Sequence, residues 1–175
     1  MDPVEICRRM GEAKTKASFL ELTTDGMKKI LREAKLPTSR LASHTTTKKR
    51  NDDWANRLWR LITERSQVSA AATFLFEWLT RMRRPMLAEF LTALSVQHDN
   101  GLTDADFMTA APPEKLIEAG KKLLEHHNPQ DVAAYLLFLD ASNKSEIFAP
   151  LKLDTVIAGT PIAATETPPA PEPAS

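Results

Sequence analysis

Apolar residues recur at three- and four-residue intervals through most of the first 150 positions of the chain. That spacing places them on one face of an α-helix. No segment shows convincing alternation of apolar and polar residues between paired turn signals, which would indicate β-strands. The sequence therefore predicts an all-α fold, a compact bundle of about six to eight short helices.

Residues 68–82 form the most apolar of these helical segments. A helix that is apolar on nearly all sides is typical of the centre of a fold, so we expect this segment to be the core helix. Its regular stripe is widened by three aromatic residues, and together these positions are Val68, Ala71, Ala72, Phe74, Leu75, Phe76, Trp78, Leu79 and Met82.

Proline and capping residues mark the starts of several helices. Asp2-Pro3, Pro85 and Asn128-Pro129 each have the arrangement expected of a helix N-terminus, where a first-turn proline loses no intrahelical hydrogen bond. Asn100-Gly101 predicts a left-handed turn. Residues 38–51 lack periodicity and predict a loop, with Asn51 or Asp52 capping the helix that follows.

The composition changes near the end of the chain. Six of the twelve prolines fall in residues 150–175, and residues 160–175 are almost entirely Pro, Ala, Thr and Glu. We therefore expect a helical domain over residues 1–150 and a disordered Pro/Ala/Thr-rich tail over residues 151–175. A PxxP match at 168–171 fits an aromatic groove. Such matches are common in proline-rich segments, and a solubilising tail is the favoured interpretation.

The formal net charge of zero conceals an asymmetry along the chain. Residues 1–84 contain 18 Lys+Arg and 10 Asp+Glu, whereas residues 85–175 contain 5 and 13. The formal net charge is therefore +8 for residues 1–84, the basic half, and −8 for residues 85–175, the acidic half. Such asymmetry predicts either an anionic partner for the basic half or neutralisation of one half by the other.

Most of the basic character lies between residues 28 and 60. We predict that an anionic partner, either nucleic-acid phosphate or an acidic protein surface, would bind there. The preferred interpretation is that the acidic helices neutralise the basic half, or that it is simply a solvated face, because no zinc finger, basic zipper or glycine-rich RNA motif is present. The candidate binding residues are Lys28, Lys29, Arg32, Lys35, Lys48, Lys49, Arg50, Arg57 and Arg60.

The sequence contains no residue pattern typical of catalysis or metal binding. The four histidines form no HExxH pair, and there is no phosphate loop, GxSxG elbow or GxGxxG fingerprint. His126 and His127 are adjacent, so on a helix they would point to different sides and could not share one site. No catalytic residue, metal site or cofactor is therefore predicted, and the chain is expected not to be an enzyme.

The single cysteine and the N-terminal residues bear on the compartment. One cysteine excludes a disulfide framework, and Cys7 is expected to be a packed, inert thiol. The N-terminus lacks a signal-peptide pattern, and the longest apolar run is far shorter than a membrane span. A cytoplasmic protein without a membrane partner is predicted.

These observations favour a non-enzymatic helical module that regulates or binds another protein. Their support is a well-defined predicted core together with the lack of a catalytic pattern. The alternative is a nucleic-acid-associated protein that uses the basic segment 28–60. The sequence does not predict an oligomeric state.

Overall fold

The computed structural model describes residues 1–36 and 47–159, with side chains for 1–36 and 52–159. These residues form ten α-helices, one 3-10 turn at Ala149–Leu151 and no β-strand. The predicted all-α fold is confirmed. The helices are α1 (Pro3–Met10), α2 (Glu12–Leu20), α3 (Thr24–Glu33), α4 (Thr47–Thr63), α5 (Val68–Met82), α6 (Arg84–Ala93), α7 (Phe107–Ala110), α8 (Pro113–His126), α9 (Pro129–Asn143) and α10 (Leu153–Ile157).

The helix starts predicted at Asp2-Pro3, Pro85 and Asn128-Pro129 are confirmed. The Asp2 carboxylate accepts a hydrogen bond from the Glu5 amide at 2.8 Å, and the Asn128 side chain accepts one from the Asp131 amide at 3.2 Å. Each bond satisfies an amide that has no partner within its helix. Pro85 stands in the first turn of α6, so a proline opens this helix without removing one of its hydrogen bonds.

Helix α4 begins earlier than predicted. Residues 47–51, which we assigned to a loop, are helical, so Asn51 and Asp52 lie inside α4 and neither caps it. Their lysines and arginine are good helix formers, although they lack the apolar spacing on which the prediction relied. The preceding residues 37–46 lie outside the described part of the chain, and so does that part of the predicted loop.

The predicted start of the C-terminal tail is also wrong. Residues 153–157 form α10, which packs against α9 and buries Leu153, Val156 and Ile157. Their apolar side chains pack although prolines dominate the composition beyond position 150. Residues 160–175, including the PxxP match, lie outside the described residues.

The core is built around α1, α5 and α9. Helix α1 packs against both α5 and α9, and α5 also contacts α3 and α6. Phe74 and Trp78 of α5 are completely buried, which confirms the predicted core helix. Two of its apolar residues depart from that prediction, because Val68 is 48% exposed and Phe76 is 49% exposed.

Helix α8 approaches α9 closely at Gly120. A β-carbon there would lie 3.0 Å from Leu136 Cδ1, which is tighter than ordinary packing. Glycine therefore allows the backbones to approach. No helix in the described part of the chain is long and apolar enough to span a membrane.

Candidate functional site

An apolar groove lies between α5, α6 and α9. Its volume is about 290 Å³, and the turn at residues 101–103 and α7 complete its wall. We call it the apolar groove. Two of the exposed large hydrophobic side chains of the described residues, Phe76 and Leu102, line it. Its other apolar lining includes Leu79, Leu87, Leu91, Phe107, Tyr135 and Phe138.

Packed aromatic rings support the wall of the apolar groove from behind. The buried Phe90 ring meets the Tyr135 ring edge-to-face, with centroids 5.4 Å apart, and meets the Phe107 ring similarly at 6.0 Å. Such pairs have preferred geometries that restrict ring orientation. Burial raises the pKa of the Tyr135 phenol, so this wall remains uncharged at neutral pH.

The turn beside the apolar groove depends on Gly101. Its φ is +84°, and a β-carbon would lie 2.7 Å from the Arg84 carbonyl oxygen. The Gly101 amide donates to His98 Nδ1 at 3.3 Å, and His98 Nε2 lies 2.9 Å from the Thr92 hydroxyl. The predicted Asn100-Gly101 turn is confirmed, and it fixes Leu102 at the mouth of the groove.

The polar atoms of the apolar groove are hydroxyls, and no charged residue lines it among the described residues. The Thr80 hydroxyl donates to the Phe76 carbonyl at 2.7 Å, and the Thr103 hydroxyl donates to the Gln97 carbonyl at 2.9 Å. The hydrogens of the Thr80 and Thr103 hydroxyls are therefore already used, and Tyr135 and Ser142 contribute the remaining side-chain hydroxyls of the lining. The lining consequently favours apolar contacts over hydrogen bonding with a ligand.

The Phe76 end of the apolar groove has a positively charged edge. Lys29 Nζ lies 5.7 Å from the centre of the Phe76 ring and 2.5 Å from Glu77 Oε1. Arg81 Nε donates to the other Glu77 oxygen at 2.6 Å. Burial acts to raise the pKa of the Glu77 carboxyl, but the hydrogen bonds from Lys29 and Arg81 outweigh it and lower that pKa. Two cations therefore surround one carboxylate.

The predicted anionic-partner residues are distributed over α3, the residues just after it, and α4. Lys29 is paired with Glu77, and Lys28 Nζ lies 4.0 Å from Asp25. Arg32 and Lys35 are exposed at the end of α3. Lys48, Lys49 and Arg50 belong to the first turns of α4, and their side chains lie outside the described residues.

The structure does bring Arg57 and Arg60 together. They line a second groove of about 250 Å³ with Leu36, Leu61, Glu64 and Arg65, which we call the arginine groove. Arg65 follows the end of α4 and was not among the predicted site residues. Arg65 reaches the groove because of the way the chain turns after Thr63, and the spacing of apolar residues does not predict that turn.

Ion pairs connect the basic half of the chain to the acidic half. The Asp131 carboxylate, at the start of α9, lies 2.5 Å from both Arg83 Nε and Lys14 Nζ. Arg9 Nη1 lies 2.5 Å from the Asp154 carboxylate. Part of the charge asymmetry is therefore neutralised within the molecule.

The prediction that His126 and His127 could not share a site is wrong. His126 Nδ1 lies 2.6 Å from Glu89 Oε1, and His127 Nε2 lies 2.9 Å from Glu89 Oε2. Helix α8 ends at His126, and His127 has extended backbone angles that turn its ring back towards Glu89. The hydrogen bond from His126, reinforced by that from His127, lowers the pKa of the Glu89 carboxyl.

Two further observations concern the reactivity of Cys7 and the binding of a metal ion. Cys7 is completely buried, as expected, and burial raises the pKa of its thiol, so the reactive thiolate is disfavoured. Over residues 1–36 and 47–159, no group of three or more His, Cys, Asp or Glu side chains is arranged to hold a metal ion.

No protein-family model, curated protein or solved structure matches this chain. A functional proposal must therefore be argued from its own surfaces.

Proposed function

We propose that this chain is a non-enzymatic helical module that binds a protein partner through the apolar groove. The observation that carries the proposal is the 49% exposure of Phe76 at a concave apolar surface, on a helix whose other aromatic residues are buried. Exposed aromatic residues beside apolar pockets are typical of protein-binding sites.

The occupant that suits the apolar groove is an amphipathic helix. The uncharged lining favours a row of apolar side chains, and the described residues offer no sheet edge to which a partner strand could be added. Lys29 and Arg81 are about half exposed at the Phe76 end. An acidic residue of the partner would be attracted to that end, which fixes the direction of the bound helix.

A binding experiment with selected peptides tests this proposal. Amphipathic helical peptides would be selected against the full chain, and their affinities measured by fluorescence anisotropy. We expect Phe76→Ala to weaken binding by about thirtyfold, which is the loss typical of a central aromatic contact. The selected peptides should carry apolar residues at helical spacing with an acidic residue at one end.

Val68→Ala provides a matched control. Val68 lies on the same helix with a nearly equal exposed fraction, but it does not line the apolar groove. Its substitution should change affinity by less than about twofold, as expected outside a binding hot spot. Equal affinities of the two variants for the selected peptides would overturn the proposal.

Nucleic-acid association through residues 28–60 is the second candidate function. It is favoured by the position of Arg57 and Arg60 in one groove and disfavoured by the internal pairing of Lys29 with Glu77. It requires that binding to DNA or RNA weaken steeply with salt and be lost when Lys48, Lys49 and Arg50 are neutralised. Salt-insensitive or absent binding would exclude it.

A further inference from the structure

We propose that the arginine groove is a second, separate docking surface for an acidic segment of a protein partner, which inserts one apolar side chain between the arginines. No residue lines both the arginine groove and the apolar groove. This inference therefore does not depend on the function proposed for the apolar groove.

The charge of the arginine groove is the first support. Arg57, Arg60 and Arg65 surround it with a single carboxylate, that of Glu64. Within the described residues, no acidic side chain lies within ion-pair distance of these three arginines. The excess positive charge faces solvent in a concave surface, where low-dielectric walls strengthen attraction to an anion.

The arginine groove is also partly preorganised. Arg57 and Arg60 are three residues apart on α4, so their side chains share one face of the helix, and Glu64 directly follows the end of that helix. The Arg57 guanidinium lies 5.3 Å from the centre of the Trp54 ring, and Trp54 is only 6% exposed. This cation–π contact restricts the guanidinium before any ligand binds.

Apolar side chains at the arginine groove indicate the rest of the ligand. Leu61 is 6% exposed and Leu36 is half-buried. The Leu36 amide donates to the Leu31 carbonyl at 2.8 Å, which holds this residue beside α4. A volume of about 250 Å³ accommodates an aliphatic side chain. The partner segment is therefore expected to combine carboxylates with one apolar residue.

The same features disfavour nucleic acid at the arginine groove. Base stacking needs an exposed aromatic face, whereas the Trp54 ring is buried beneath Arg57. Phosphate binding also favours a track of cations, but Lys29 of the neighbouring helix α3 is directed to Glu77. An apolar floor adds nothing to phosphate recognition and suits a protein side chain.

The test uses the full chain and a short fluorescein-labelled glutamate-rich peptide with one central leucine, measured by anisotropy. We expect the triple variant Arg57→Gln/Arg60→Gln/Arg65→Gln to weaken binding by at least about tenfold, because it removes the anion-binding groups. The control Lys115→Gln/Lys121→Gln/Lys144→Gln removes the same charge from exposed residues outside the groove. It should weaken binding by less than about threefold, through long-range charge alone.

Two further variants separate recognition from general attraction between charges. Leu36→Ala should weaken binding of the leucine peptide by about threefold and leave unchanged a companion peptide with serine in place of leucine. Glu64→Gln should strengthen binding of both peptides, because it removes the one repelling carboxylate. A gain of affinity also shows that the groove is intact.

Three results would overturn the proposal, and a fourth would show that the two grooves act independently. Equal weakening by the two triple variants would overturn the proposal, and so would a Leu36→Ala effect that is the same for both peptides. Tighter binding of a DNA duplex or single-stranded RNA with the same arginine dependence would overturn it in favour of nucleic acid. Retained binding in Phe76→Ala would show that the arginine groove acts without the apolar groove.

Discussion

At the scale of single residues, Glu89 connects two helices through both oxygens of one carboxylate. Its partners, His126 and His127, lie at the end of α8, whereas Glu89 belongs to α6. The hydrogen bonds stabilise the ionised carboxylate, and the pKa of Glu89 is accordingly below its ordinary value of 4.5. The bonds therefore stabilise the fold most when Glu89 is ionised.

This coupling predicts how Glu89→Gln changes stability with pH. Because the pKa of Glu89 is depressed on folding, its contribution is present above the unfolded pKa and is lost as pH falls through the folded pKa. Glu89 is more than one-third exposed, so we expect the variant to lower the free energy of unfolding near neutral pH by less than about 1 kcal/mol. The difference should shrink below pH 4.5.

Urea denaturation at a series of pH values measures this difference. Glu118→Gln is the matched control, since Glu118 forms an exposed pair with Lys122 within one helix. Its effect on the free energy of unfolding should be smaller. A Glu89→Gln effect that grows as the solution is acidified below pH 4.5 would contradict the prediction.

At the scale of elements, the turn between α6 and α7 depends on the small size of Gly101. Two glycines with positive φ separate size from conformation: Gly11 has φ +82° and open space at its β-carbon position, whereas Gly101 has φ +84° and that position is blocked by the Arg84 carbonyl oxygen. Both positions are strained for alanine. Only the second also requires the backbone of α6 to move.

We therefore expect Gly101→Ala to destabilise the fold more than Gly11→Ala. A positive φ costs roughly 1–3 kcal/mol for alanine at either position, and the steric conflict at Gly101 should add to the loss there. Chemical denaturation of the two variants provides the measurement. Equal losses would show that the turn relaxes to accommodate a β-carbon.

Helix positions could be predicted because burial of one helix face imposes a period on the sequence. Residues 68–82 and the proline-marked start of α9 followed this rule and were located correctly. The first turns of α4 were missed because their polar residues carry no such period. Helix α10 was missed because five residues are too few to display one.

Sites formed by residues that are distant in the sequence could not be predicted, for a different reason. The apolar groove combines residues of α5, α6 and α9 with a turn, and no spacing along the chain reports that they meet. The exposure of Phe76 could not be predicted for the same reason. Its apolar character suggested burial, and only the packing of neighbouring helices leaves that side of α5 open. His127 faces Glu89 because the helix ends one residue earlier.

At the scale of the whole molecule, the charge asymmetry becomes a means of joining the two halves of the chain. Asp131 of the acidic half is 5% exposed and contacts both Arg83 and Lys14 of the basic half. The Arg83 guanidinium also lies 4.9 Å from the centre of the Trp78 ring, in the core helix. The ion pairs therefore adjoin the apolar core.

This arrangement predicts that the two halves unfold together and that Asp131→Asn weakens both equally. The substitution leaves Lys14 without its Asp131 partner and leaves Arg83 paired with Glu21 alone, so we expect a loss of about 3 kcal/mol. Asp25→Asn, the same chemical change at an exposed aspartate 4.0 Å from Lys28, should cost less than about 1 kcal/mol.

The distribution of aromatic residues allows each half to be observed separately. All three tryptophans precede residue 85, and the single tyrosine is Tyr135. Tryptophan fluorescence therefore reports the basic half, and the 19F signal of fluorotyrosine at position 135 reports the acidic half. Because α1 packs against both α5 and α9, the two urea transitions should coincide and shift together in Asp131→Asn. Separate transitions would mean that each half keeps its own core and that the Asp131 pairs do not join them.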